Sequence, residues 1–156
     1  MQTRPDKQTK ITECSLDELR EELGSLAHEH WLELEDNKRL FKLSIDWPEY
    51  YVKQFNNEVV SLAVRHHGEL VGYSVTLLCI PIHSDAITIG VNSAVFLRKE
   101  HRGGGLGARL ILATESAVRQ RGAKGMSWHA KPTTSMAQMM ERMGYEVQHT
   151  TYSRSI

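Results

Sequence analysis

The stretch HRGGGLGARL, His101 to Leu110, sets four glycines in five positions between Arg102 and Arg109. Glycine disfavours a helix by about 1 kcal/mol relative to alanine, because it loses the most backbone freedom on folding. Gly103, Gly104, Gly105 and Gly107 are therefore either a loose linker or a place where bare backbone is needed. The flanks decide between the two. AITIGVNSAVFL (86–97) is an apolar, branched run that reads as a buried strand. Leu106, Leu110, Ala113 and Ala117 fall on one helical face, closed by Arg121-Gly122. A strand that enters a helix through glycines offers converging unpaired N–H groups, the positive end of the helix dipole and no obstructing side chains. That combination is a phosphate cradle.

The rest of the chain supplies the frame. Val59 begins VVSLAVRHHGELVGYSVTLLCIPI, which reads as two strands joined by a turn at His67-Gly68. ITEC (11–14) suits a short first strand. Ser15-Leu16-Asp17-Glu18 has the form of a capping box, and Leu16, Leu19, Leu23, Leu26, Ala27 and Trp31 keep helical spacing, predicting a helix from about 16 to 35. Trp47-Pro48 starts a second helix that runs to about Asn57. After the glycine segment and its helix, GMSWHA (125–130) reads as a strand. Ser135 to Met143 reads as a short helix with a Ser-x-x-Gln box at Ser135 and Gln138, stopped by Gly144. YEVQHTTYS (145–153) alternates as a final strand. Helices, a strand meander, then strand–helix–strand–helix–strand describe an α/β fold with a mixed sheet.

Composition narrows the class. The 156 residues make most simply one domain, 11–156, after a solvated, flexible tail at 1–10. Nineteen basic residues balance nineteen acidic ones, so no global field favours nucleic acid or an anionic membrane. No apolar run approaches the roughly 18 residues of a membrane span, and the polar N-terminus lacks the apolar core of a signal peptide. Cys14 and Cys79 are isolated, which suits a reducing cytoplasm. The eight histidines show no metal spacing; His28 and His30, two apart, cannot share a helix face.

Three phosphate cradles can be compared with the loop. A P-loop needs Lys then Ser or Thr after its last glycine, where Ala108-Arg109 stand. The dinucleotide pattern G-x-G-x-x-G lacks its third glycine. The pattern R-x-x-G-x-G/A is met in full by Arg102, Gly105 and Gly107. This resembles the acyl-CoA pyrophosphate loop of the GNAT superfamily of N-acetyltransferases. The hairpin HHGELVGYSV is similar to that superfamily's second and third strands. Met139-Met140-Glu141-Arg142-Met143-Gly144-Tyr145 is similar to its last-helix signature, Tyr-Glu-Lys-Leu-Gly-Phe. The resemblance covers about residues 59–150. It implies a mixed, mostly antiparallel sheet of about six strands flanked by about four helices. The compact chain and its histidine-rich flanks are also similar to small GNAT proteins of tailed bacteriophages.

The resemblance implies acetyl-CoA as donor, no metal, and direct transfer to an amine in a ternary complex. The acceptor would be an amine-bearing small molecule or protein, with a homodimer common in the superfamily. Main-chain groups of Phe96, Leu97 and Lys99 would meet the pantetheine arm. The loop from Arg102 through Gly103, Gly104, Gly105, Leu106, Gly107 and Ala108 would hold the pyrophosphate. The acceptor amine must lose a proton, and Ile87 to Leu97 carries no acid, only Thr88, Asn92 and Ser93. Asn92 or Ser93 could position a water. Among His83, Asp85 and His129, the imidazole of His129 is the preferred base. Met140 stands where the signature has the tyrosine that protonates the leaving thiolate, so Tyr145, Ser135 or a water would substitute. Glu33, Glu35, Asp36 and Asp46 lean towards a cationic acceptor. The alternative is a GNAT-like module that binds acyl-CoA with little or no catalysis and acts through protein contacts.

Overall fold

The computed structural model describes residues 8–33, 43–84, 86–152 and 154. Five strands lie in chain order across one sheet: β1 (Thr9–Glu13), β2 (Val59–His66), β3 (Glu69–Cys79), β4 (Ile89–Leu97) and β5 (Gly125–Ser127). The first four pair antiparallel, and β5 joins β4 in parallel. Strand β1 starts at Thr9, inside the segment that composition assigns to a tail.

Strand β2 is buried on both faces over Val59–Val64, as a central strand covered on two sides must be. Its alternation divides the core. Val59 and Ala63 face α1 (Leu16–Leu23), whose Leu16, Leu19 and Leu23 pack with Tyr73, Val75 and Phe96. Val60, Leu62 and Val64 face α4 (Leu106–Gln120), whose Leu106, Leu110, Ala117 and Val118 pack with Val71 and Leu97. The α/β expectation is met: one mixed sheet lies between two helical layers.

The expected capping box is present, with Ser15 Oγ accepting from Glu18 N and the Glu18 carboxylate accepting from Ser15 N. The single helix expected over 16–35 is instead two, α1 and α2 (Leu26–Glu33), because Gly24 adopts φ +46° and stops the first. Residues 34 and 35 lie outside the described chain. Helix α3 (Trp47–Phe55) begins with Pro48 in its first turn and Asp46 accepting from Glu49 N.

Two further expectations are corrected. Strand β5 ends at Ser127 rather than Ala130. Residues 145–152 form no strand; the five strands and five α-helices found among the described residues accord with the expected mixed sheet of about six strands and about four helices. Alternation alone does not make a strand; it needs an edge to pair with and a face to bury. β5 offers only three residues of edge, and Val147 and Tyr152 stay exposed. Helix α5 (Ser135–Arg142) is capped by Thr134, whose hydroxyl accepts from Ala137 N, one residue before the expected Ser135.

Candidate active site

Strands β4 and β5 pair over only three positions, Ile89↔Gly125 to Val91↔Ser127, and then separate. At that parting, Val75 of β3 lies opposite Ala94 and Thr76 opposite Asn92. Ser93 is therefore an extra residue on β4, a bulge that bends the strand and disturbs its ladder there. Past the bulge, β4 runs to Leu97, a short 3-10 turn (Lys99–His101) follows, and the glycine loop enters α4. The opening between the separated strands, the loop and α5 is one cleft of about 940 Å³.

The loop is built as a cradle. Gly103, Gly104 and Gly105 have φ of +109°, +55° and +78°, values that side-chain-bearing residues rarely adopt. Leu106 N bonds back to Gly103 O and Arg109 N to Gly105 O. Among the described residues, the amides of Gly103, Gly104, Gly105, Gly107 and Ala108 have no backbone acceptor. A Cβ added at any of the first three would meet nothing within 4 Å, so the space beside this backbone is open. At Gly107 a Cβ would instead touch Met139 Sδ at 3.4 Å, showing that α5 leans on the first turn of α4.

The cleft gathers most of the residues singled out from sequence. Asn92, Phe96, Leu97, Arg102, Gly103, Gly105, Gly107, Ala108 and His129 all line it, with Ser135 and three methionines of the α5 region, Met136, Met139 and Met143. Gly104 and Leu106 belong to the loop without lining the cleft; Leu106 is buried in the core beneath it. Lys99 faces a smaller depression beside Glu29, Glu33 and Glu100. Tyr145 lies apart. Its hydroxyl donates to the Glu115 carboxylate, which also accepts from Trp128 Nε1 at 3.0 Å. Burial, and then the bond to Glu115, push its pKa up, so it is a poor proton donor. Met140 is buried in place of the signature tyrosine.

His129 stands where β5 leaves β4. Its Nδ1 lies 3.2 Å from the Asn92 carbonyl oxygen. A carbonyl only accepts, so Nδ1 carries the hydrogen and Nε2 is left as the acceptor nitrogen of the neutral ring. The Asn92 side chain is buried, and its Nδ2, like Thr76 Oγ1 opposite, has no hydrogen-bond partner among the described residues. A buried amide donor without a partner costs about 1–3 kcal/mol unless something fills the place.

Sequence reasoning missed three features. His30 lines the cleft, with its Nδ1 2.7 Å from the Tyr73 hydroxyl and its ring stacked on Phe96 at 4.9 Å. Its spacing after Leu23 and Leu26 continues the apolar stripe, the one signal that could have revealed it. Tyr50 and Ser93 join hydroxyl to hydroxyl, tying α3 to the bulge. Glu33 holds Arg102 through both carboxylate oxygens, at 2.8 and 2.9 Å. The acidic lean towards a cationic acceptor is thereby reduced: Glu33 is paired, Asp46 caps α3, and Glu35 and Asp36 lie outside the described residues.

Burial lowers the His30 pKa from 6.5 to about 4, against a smaller opposing effect of Glu33. A histidine held neutral in the fold contributes stability that is complete above the unfolded value. That contribution is lost as pH falls from about 6.5 to about 4, because only the unfolded chain then takes up the proton. A His30→Gln variant therefore shows a flatter loss of stability across this interval in urea melts at stepped pH. A slope identical to wild type would refute the assignment.

The Acetyltransferase (GNAT) family model matches residues 16–145. The chain belongs to this family. Solved acetyltransferase structures repeat the fold at low identity. An aminoglycoside acetyltransferase from an uncultured soil metagenomic sample, in complex with trehalose, is 15% identical with a TM-score of 0.71, covering 97% of this chain and 100% of that one. The ribosomal-protein-alanine N-acetyltransferase of Brucella melitensis is 17% identical with a TM-score of 0.71, covering 95% and 97%. AAC(6')-Iy in complex with the bisubstrate analog CoA-S-monomethyl-acetylneamine is 16% identical with a TM-score of 0.64, covering 95% and 98%. No curated protein matches the sequence. Among the described residues, no GNAT helix here is long and apolar enough to cross a membrane, and no group of three potential ligands is placed to hold a metal ion.

Proposed function

We propose that this GNAT chain transfers an acetyl group from acetyl-CoA to an amine by direct attack in a ternary complex. The observation that carries the reading is the loop of three consecutive positive-φ glycines with unpaired amides at the mouth of the β4–β5 opening. When bound there, acetyl-CoA supplies an acyl thioester, a good acyl donor. The amides from Gly103 to Ala108, with the α4 dipole, would hold the diphosphate. The edge of β4 that β5 abandons after Val91, through Phe96 and Leu97, would run beside the pantetheine arm. The bulged backbone at Ser93 and the unpartnered Asn92 Nδ2 offer donors to the acyl oxygen as negative charge develops.

An alkylamine of pKa about 10.4 is overwhelmingly protonated at neutral pH. His129 Nε2 would take that proton, with the Asn92 carbonyl fixing the ring. The leaving thiol, of pKa about 8.5, can depart as thiolate. Ser135, a hydroxyl that faces the cleft where Tyr145 does not, or a water, would return a proton to it.

The acceptor is an amine-bearing small molecule or a protein amine, as the aminoglycoside and ribosomal-protein-alanine acetyltransferases of the same fold suggest. Release of free thiol from acetyl-CoA, measured over a panel of polyamines, aminoglycosides and peptide N-termini, tests the reading. Amine-dependent release supports it. Buried Met140 and the lack of any acid on β4 favour a second reading, a module that binds acyl-CoA without turning it over. Saturable binding with no release on any amine would select that one.

A further inference from the structure

Arg102 opens the R-x-x-G-x-G/A pattern, yet its guanidinium is already held from two sides. Nε donates to the Leu97 carbonyl at 2.7 Å, and Nη2 donates to both carboxylate oxygens of Glu33, the last residue of α2. The guanidinium also lies over the Phe96 ring, 5.4 Å from its centroid. Glu33, Arg102, Gly103 and Gly105 line the same cleft. A carboxylate therefore sits at the mouth of a cradle shaped for an anion and neutralises the cation next to it.

We infer that Glu33 competes with the bound diphosphate for Arg102, so that the ion pair must exchange partners when acetyl-CoA enters. This inference rests on the proposed acetyl-CoA site. The two bonds to Arg102 differ in what a ligand would do to them. The Nε–Leu97 bond lies on the β4 side and serves as a pivot. The Nη2–Glu33 bonds face the cleft, and both side chains are about one-third exposed. A pair this open contributes little to stability and exchanges readily. A diphosphate on the loop amides offers Nη2 a second acceptor of higher charge. Until Arg102 turns, the Glu33 charge opposes the ligand.

The consequences differ from those of a merely structural contact, whose loss weakens binding. Glu33→Gln keeps the shape and one acceptor oxygen but removes the charge. Calorimetric titration with acetyl-CoA then shows about 1.5-fold to fivefold tighter binding than wild type, the scale of an exposed charge pair. The gain fades as salt rises from about 0.05 to about 0.5 M, because screening shortens the reach of the freed guanidinium. Arg102→Gln leaves Glu33 uncompensated and weakens binding about tenfold. The double variant binds more tightly than Arg102→Gln alone, because the opposing carboxylate has gone.

Thermal melts of each variant accompany the titrations. Equal or weaker binding by a folded Glu33→Gln chain overturns the inference. So does a double variant no tighter than Arg102→Gln, which decides the matter if the Glu33→Gln chain alone is unfolded. A wild-type chain that binds no acetyl-CoA overturns the proposed site and the exchange together. Wild-type binding without the predicted signs overturns the exchange alone.

Discussion

A Gly105→Asp chain folds normally and loses acetyl-CoA binding, with Kd at least about 100-fold higher than wild type. Two independent facts separate the effect on ligand from the effect on fold. Gly105 has φ +78°, which aspartate tolerates better than most residues, and a Cβ there meets no protein atom within 4 Å. Gly105 also stands at the N-cap of α4, where a carboxylate is favoured by the exposed amides and the dipole. Folding therefore weakens by about 1–2 kcal/mol, the scale of a single left-handed residue, which leaves the chain folded. The ligand meets a different surface. The new carboxylate lies where the diphosphate should approach and takes the amides that should receive it. Like charges about 4 Å apart repel by about 4 kcal/mol at an effective dielectric constant near 20, ample for a loss of two orders of magnitude. Calorimetry on both chains, with thermal melts as the folding control, reads this directly. A folded variant that binds like wild type would remove the loop from the site.

Much of this protein was legible in sequence because its main devices are local. The glycine run, the Ser15–Glu18 box and the His67-Gly68 turn each state their geometry within a few residues, and each occurs as read. The failures are where a distant partner decides. Leu26, Ala27 and Trp31 keep the periodicity of one helix across Gly24, yet φ +46° there bends the chain and gives α2 its own direction. Residues 145–152 alternate correctly but find no edge, since β5 stops after three residues. Tyr145 is close in sequence to the signature position, and nothing local says that Glu115, thirty residues away, takes its hydroxyl. Arg102 opens the glycine loop in sequence, but its partner Glu33 is 69 positions distant. Charge counting near Glu33 and Asp46 fails for the same reason: a carboxylate leans towards a cationic acceptor only if no arginine or helix amide has claimed it.

The proton is the remaining chemical question, and His129 carries the expected answer. A His129→Ala chain binds acetyl-CoA within about twofold of wild type while kcat falls about 100- to 1000-fold, the usual contribution of a positioned general base. The separation of the two effects follows from where the ring stands. His129 is exposed to the cleft beyond the end of β5, and its one described bond runs to the Asn92 carbonyl, so truncation removes little packing and leaves the glycine loop untouched. That same bond is why the ring should matter. The carbonyl holds the Nδ1 hydrogen, which leaves Nε2 with a lone pair at the parting of β4 and β5, beside the bulge at Ser93. No residue from Ile89 to Leu97 offers an alternative acid or imidazole. Steady-state kinetics with the best acceptor from the amine panel, repeated with added imidazole, distinguishes a base from a strut. Recovery of part of kcat in the variant by free imidazole, at unchanged KM for acetyl-CoA, marks proton transfer. An unaltered kcat removes His129 from the mechanism and leaves a water held by Asn92 and Ser93 as the acceptor of the proton.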